Sequence, residues 1–155
     1  MNKVSQQSIS LLPWIGKTAK FIDYFVADHM KENGIDLSKE QFIVLKYLNE
    51  KDGLIQNDLA FITNRSKTAL TRLIQTMEKK GLVYRQSCKT DLRINHVFLT
   101  EFGRETWNRS YPHIMEIVEE LQQGISDKDL EVVRKTMEQI QQNIKIKTNI
   151  NQKQR

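Results

Sequence analysis

Residues 66–82 read SKTALTRLIQTMEKKGL, and this stretch decides the fold. Leu70, Leu73, Ile74 and Met77 recur at i, i+3, i+4 and i+7, which places four apolar side chains on one face of a helix over 67–80. Ser66 stands at the N-cap position. Gly81 stands where a left-handed residue ends a helix, with Leu82 behind it. Arg65, Ser66, Lys67, Thr68, Thr71, Arg72 and Gln75 lie at the start of this helix or on the face away from the stripe. No acid falls between Arg65 and Met77, and Glu78 is the first. A solvated helix of this length ordinarily alternates charge signs. Here short hydroxyls and long cationic or amide side chains share one face, a set able to meet phosphate and base edges.

Upstream, residues 56–63 form a short helix with Leu59, Ala60 and Ile62 turned inward, followed by the polar turn Asn64-Arg65-Ser66. Before it, Ser38 and Gln41 make a capping box, Leu37 staples onto Phe42, and Phe42, Leu45 and Leu48 supply a buried stripe that ends at Asp52-Gly53. Residues 14–32 read as a first helix, with Ile15, Ala19, Ile22, Val26 and Met30 at helical spacing and Asn33-Gly34 as its stop. Downstream the period changes. Residues 82–86 and 94–99 are rich in Val, Tyr, Ile and Phe, and predict two strands of a hairpin. Its charged tip holds Lys89, Asp91 and Arg93, and Asp91 is expected to pair with the Arg93 guanidinium and hold it extended toward a narrow groove. Thr100 caps a helix over 101–122 that Pro112 is expected to kink or divide. Gly124 ends it and Ser126 caps a last helix. There Leu130, Val133, Met137, Ile140 and Ile144 are spaced 3, 4, 3, 4, a heptad seam that calls for a partner. The polar tail over 148–155 reads as frayed.

The order helix, helix, short helix, helix, hairpin, helix, helix is mainly α with a small β-hairpin wing. It is the plan of a winged helix-turn-helix protein with a helical dimerisation lobe. The helix over 67–80 suits a major groove, and the hairpin tip suits the flanking backbone or minor groove of double-stranded DNA. Charge placement agrees. The net charge is +5, yet residues 1–52 and 110–155 each hold seven basic and seven acidic residues. Residues 53–109 hold ten basic and five acidic, so the whole excess lies in the middle of the chain. Three divisions follow: 1–37, an N-terminal helix for dimerisation; 38–109, the DNA-binding lobe; and 110–155, C-terminal helices for dimerisation.

Leu59-Ala60, the run from Ser66 to Leu73, the run from Glu78 to Val83, the wing Asp91-Leu92-Arg93, and Leu99-Thr100 with Gly103 together resemble the MarR family of bacterial transcription regulators. The resemblance covers residues 38–109, and the flanking helices fit in order and length. It implies a ligand-responsive repressor acting as a homodimer whose terminal helices interlock. It further implies a palindromic operator, Arg93 as the wing contact, and release of DNA by a small anionic or phenolic effector bound between the lobes. The chain departs from the family at Thr63 and Arg65, where apolar residues are usual, and at Ile55, where a Ser or Thr cap is usual. Asn64 and Ser66 are both able to cap the recognition-type helix.

Other features narrow the reading. Trp14, Tyr24, Phe25 and Phe42 are candidates to line an effector pocket, and core packing is the competing explanation for aromatics at such spacing. The single cysteine, Cys88, excludes an intrachain disulfide, and Lys89 beside it is a candidate to acidify its thiol. His29, His96 and His113 show no paired spacing, so neither a metal site nor a cofactor is expected. No apolar run approaches the ~18 residues of a membrane span, and a soluble cytoplasmic protein is expected. A glycine-rich phosphate loop, a nucleophile elbow and a His-Glu metal motif are all missing, which argues against an enzyme. The alternative to a DNA-binding regulator is a winged-helix module that binds protein. That alternative predicts an apolar exposed face on the recognition-type helix, and the sequence presents a polar one.

Overall fold

The computed structural model describes residues 10–148. The tail beyond Thr148 lies outside the described residues. Six helices and a small sheet follow in the order α1 (Leu12–Glu32), α2 (Lys39–Glu50), β1 (Leu54–Ile55), α3 (Gln56–Ile62), α4 (Lys67–Lys79), β2 (Val83–Ser87), β3 (Asn95–Leu99), α5 (Glu101–Gln122) and α6 (Asp127–Thr148). None of these helices is long and apolar enough to cross a membrane.

Local chemistry sets most boundaries. Pro13 lies in the first turn of α1, where its missing N–H costs no hydrogen bond. At α2 the Ser38 hydroxyl accepts from the Gln41 N–H, and the Gln41 side chain accepts from the Ser38 N–H. Asn64 takes a left-handed backbone conformation (φ 58°) that ends α3, while the Arg65 N–H returns to the Ala60 carbonyl. Ser66 then caps α4 by accepting from the Ala69 N–H. Asn64 and Ser66 therefore divide the labour: Asn64 closes one helix and Ser66 opens the next. Thr100 opens α5 by accepting from the Gly103 N–H, and α5 runs through Pro112 as one undivided helix.

The sheet is antiparallel with order β1-β3-β2. β2 and β3 make the expected hairpin, from Val83↔Leu99 out to Ser87↔Asn95. The sheet holds a third strand beyond the expected hairpin: Leu54 and Ile55 pair with Val97 and His96. This also explains Ile55 at the start of α3. It serves as a strand residue, and α3 begins without a side-chain cap.

The core gathers Phe42, Val44, Leu45 and Leu48 from α2, Leu59 and Ala60 from α3, Leu70, Ile74 and Met77 from α4, and Val83, Val97, Leu99 and Trp107 from the sheet and α5. Each fully buried Leu or Ile contributes about 2 kcal/mol of transfer free energy. Leu73 is only half-buried, and Ile62 is exposed rather than inward. α3 is two turns long, and Leu59 and Ala60 use its inner face. The outer layers differ. α1 fully buries only Met30 among its described side chains, and α6 fully buries none.

Candidate nucleic-acid interface

α4 turns Lys67, Thr68, Arg72 and Gln75 to solvent, opposite the buried Leu70, Ile74 and Met77. Its first turn carries no acid, so the positive end of the helix is unopposed. Thr71 is held differently. Its hydroxyl donates to the Lys67 carbonyl at 2.8 Å and accepts from the Gln56 side-chain amide at 2.9 Å, tying α3 to α4. Arg65 is half-buried, and its guanidinium lies 3.4 Å from the Glu40 carboxylate. The Glu40 carboxyl is held below its ordinary value by its own helix-start N–H, by the Ser38 hydroxyl and by Arg65 and Lys39. Ser66 is engaged as the α4 cap.

At the hairpin tip the Asp91 carboxylate accepts from the Arg93 backbone N–H at 3.0 Å, and the Ile94 N–H returns to the Asp91 carbonyl. The expected pairing of Asp91 with the Arg93 guanidinium is therefore corrected. Asp91 shapes the turn, and among the described residues no ion pair engages the Arg93 guanidinium. Leu92, between them in the wing motif, is 77% exposed.

Ion pairing sorts the cations of residues 53–109 into two sets. Arg65 meets Glu40, Lys80 meets Asp36, Arg85 meets Glu78 and Arg104 meets Asp52. The Arg85–Glu78 pair is two-pronged, with a further bond from the Arg85 N–H, and it ties β2 to the end of α4. Lys67, Arg72 and Lys79 on α4, Lys89 and Arg93 at the tip, and Arg109 have no ion-pair partner among the described residues. Three of the four neutralising acids, Asp36, Glu40 and Asp52, come from outside the stretch. The uncompensated charge thus concentrates on α4 and the hairpin tip.

Cys88 sits at the base of the tip. Its thiol is drawn down to about 7, first by the Thr90 hydroxyl 3.1 Å away, then by the Thr90 and Asp91 backbone and the nearby His96. The acidifying group is thus Thr90 in place of the expected Lys89. The rate of iodoacetamide alkylation is expected to rise through a midpoint at about pH 7, as the thiolate fraction grows. Thr90→Val should move that midpoint up, and an unmoved midpoint would remove the hydroxyl from this role.

Of the candidate pocket aromatics, Phe42, Trp14 and Tyr24 are not brought together, and Phe25 is half-buried with its ring 6.2 Å from that of His29. Phe42 is buried in the core and stacks on Trp107 with centroids 4.9 Å apart. Trp14 and Tyr24 are exposed on α1, about 15 Å apart along its axis. A cleft of about 290 Å³ opens instead where α1 meets the start of α2, lined by Asp23, Val26, Ala27, Met30, Leu37 and Lys39 among others.

Comparison with known proteins places these features in context. The MarR family profile matches residues 34–94. The transcriptional regulator HosA of Escherichia coli O157:H7 is 30% identical over 106 residues, spanning 66% of this chain and 78% of HosA. The fold superposes on AbsC, a MarR family transcriptional regulator from Streptomyces coelicolor, with a TM-score of 0.81 at 24% identity, over 94% of this chain and 99% of AbsC. It also superposes on Sco3205 of the same organism, solved in complex with DNA, with a TM-score of 0.83 at 16% identity, over 93% and 91% of the two chains.

Proposed function

Because the chain belongs to the MarR family of transcriptional regulators, we propose that it is a repressor that binds a palindromic double-stranded DNA operator as a homodimer in the cytoplasm. The observation that carries this reading is the segregation of unpaired cations onto α4 and the hairpin tip. Residues 38–109 form the DNA-binding lobe. Within it α4 lies in the major groove: Lys67 and Thr68 meet phosphate at its start, and Arg72 and Gln75 reach base edges. Thr71 presents its methyl group, since its hydroxyl ties the two helices. Ser66 and Arg65 set the entry geometry. The wing brings Lys89 and Arg93 to the flanking backbone or minor groove, with Asp91 fixing the turn between them. Residues 1–37 and 110–155 supply the dimer interface. A small-molecule effector acts where the terminal helices meet the lobe, and the cleft between α1 and α2 offers it room. Sco3205, of the same fold, was solved in complex with DNA, which supports the docking.

The test is fluorescence anisotropy with duplex from the gene's own upstream region against a scrambled duplex, over a salt series. Tight, preferential binding with a steep negative log–log salt slope is expected. Weak binding without preference across genomic fragments would favour the protein-interaction reading. Arg93→Ala is expected to weaken binding to both duplexes by about tenfold per wing. It should also make the salt slope shallower by about 0.9 per lost contact, hence about 2 for the dimer. Unchanged affinity and slope would remove Arg93 from the interface.

A further inference from the structure

We propose that His29, His113 and Glu116 form a binding site for one divalent transition-metal ion of the Zn²⁺ class, clasping α1 to α5. His29 is far in sequence from His113 and Glu116, and the spacing of the three carries no metal motif. The fold closes that distance. His29 lies in the last turn of α1, and His113 and Glu116 lie three residues apart on one face of α5. One ligand atom from each lies within 4.8 Å of the other two. The His113 Nδ1 is 3.1 Å from the Glu116 carboxylate oxygen, and the His29 Nε2 is 3.6 Å from the same oxygen.

The 3.1 Å contact is a hydrogen bond between His113 and Glu116, and together with the 3.6 Å separation it brackets the spacing that ligands of one ion require. Ligand atoms about 2.0–2.1 Å from a tetrahedral ion stand roughly 3.4 Å from one another. The His29 Nε2 is screened from water and has no hydrogen-bond partner, because Glu116 is too far to accept from it. A buried polar atom without a partner is costly, and an ion between the three groups would satisfy it. The His29 side chain is 16% exposed and that of Glu116 56%. Two ligands are therefore held against the helix packing, and the third faces solvent on the open side. Two imidazoles and one carboxylate are the donor set of zinc sites that keep a fourth position for water or another ligand.

Metal binding is read without reference to DNA, so this inference and the proposed function fail separately. Untagged, chelator-treated protein is titrated with Zn²⁺ against a chromophoric chelator, with Co²⁺ absorption reporting coordination. One ion per chain is expected. Affinity should fall at least about 100-fold in Glu116→Ala and in His113→Ala, the upper end of what loss of even an outer-shell partner costs. Zn²⁺ at about a hundredfold excess over Kd should raise the wild-type Tm by about 5–10 °C and leave that of Glu116→Ala unmoved. Glu116 is mostly exposed, so this variant keeps its metal-free Tm and separates lost binding from lost folding. No stoichiometric binding to the wild type would overturn the site. So would binding that survives Glu116→Ala, or binding that disappears in Cys88→Ser.

Discussion

Gly103→Ala is expected to destabilise the protein by about 3 kcal/mol or more, at the upper end of overpacking costs, and to lower Tm by about 6–12 °C. A β-carbon at position 103 would overlap the Leu82 carbonyl oxygen, and it would stand 3.1 Å from the Leu82 carbonyl carbon and 3.4 Å from the Leu99 Cδ2. The obstacle is backbone, so no side-chain rotation relieves it. Leu82 cannot easily yield, because the same carbonyl accepts from the Thr100 N–H at 3.1 Å, and the Thr100 hydroxyl holds the adjoining Gly81 carbonyl at 2.5 Å. Moving it would loosen the cap of α5 and the first pair of the β2–β3 ladder together. Gly16→Ala provides the contrast. An added β-carbon there meets nothing within 4 Å, and the helical interior of α1 should gain several tenths of a kcal/mol. Thermal unfolding followed by circular dichroism reads both. Equal Tm values for Gly103→Ala and wild type would show that α5 is free to slide on β2.

The same junction shows what a sequence can disclose. The short motif Leu99-Thr100 with Gly103 is a local signal: a capping hydroxyl, and a glycine three residues on. The start of α5 follows from it without tertiary information, as the start of α2 follows from Ser38 and Gln41 and both ends of α4 from Ser66 and Gly81. Features that depend on distant partners were not legible. β1 is two residues long and has no period of its own, so only its pairing with Val97 and His96 reveals it. Ile62 reads as inward from composition, yet the single buried face of α3 is already filled by Leu59 and Ala60.

The candidate sites divide along the same line. The acid-free face of α4 is visible in the sequence because it is a property of one helix. Which of its cations stay unpaired is not, because Asp36, Glu40 and Asp52 reach in from other segments to neutralise Lys80, Arg65 and Arg104. Phe42 could equally face a pocket or a core until Trp107 appears against it. His29 and His113 become neighbours, with ring centroids 6.0 Å apart, only once α1 packs on α5.

The double variant Val133→Glu with Met137→Glu is expected to yield monomers, with light scattering giving 18.3 kDa in place of twice that mass. None of the described side chains of α6 is fully buried within one chain, and along its seam Val133 is 52% and Ile144 46% exposed. Leu130, Met137 and Ile140 are only half-covered. Off the seam, Arg134 is held by Glu131 and Glu138 on the helix itself. That local network asks nothing of a partner, whereas the apolar stripe does. α1 adds Leu12, Trp14, Phe21 and Tyr24, all exposed in the single chain. In the proposed homodimer a second copy would cover these faces with the same helices, and a two-fold dimer suits a palindromic operator. Two carboxylates in the seam, four in the dimer, would have to be buried without partners. Because α6 lies outside the core formed by α2 to α5, the lobe should remain folded and keep its far-ultraviolet spectrum. A monomer reads one half-site, so specific DNA affinity should fall at least about 10³-fold, toward the non-specific level. Gln142→Glu, on the face of α6 opposite the seam, should leave both mass and affinity unchanged. A double variant that stays dimeric would remove α6 from the interface and leave α1 to carry it.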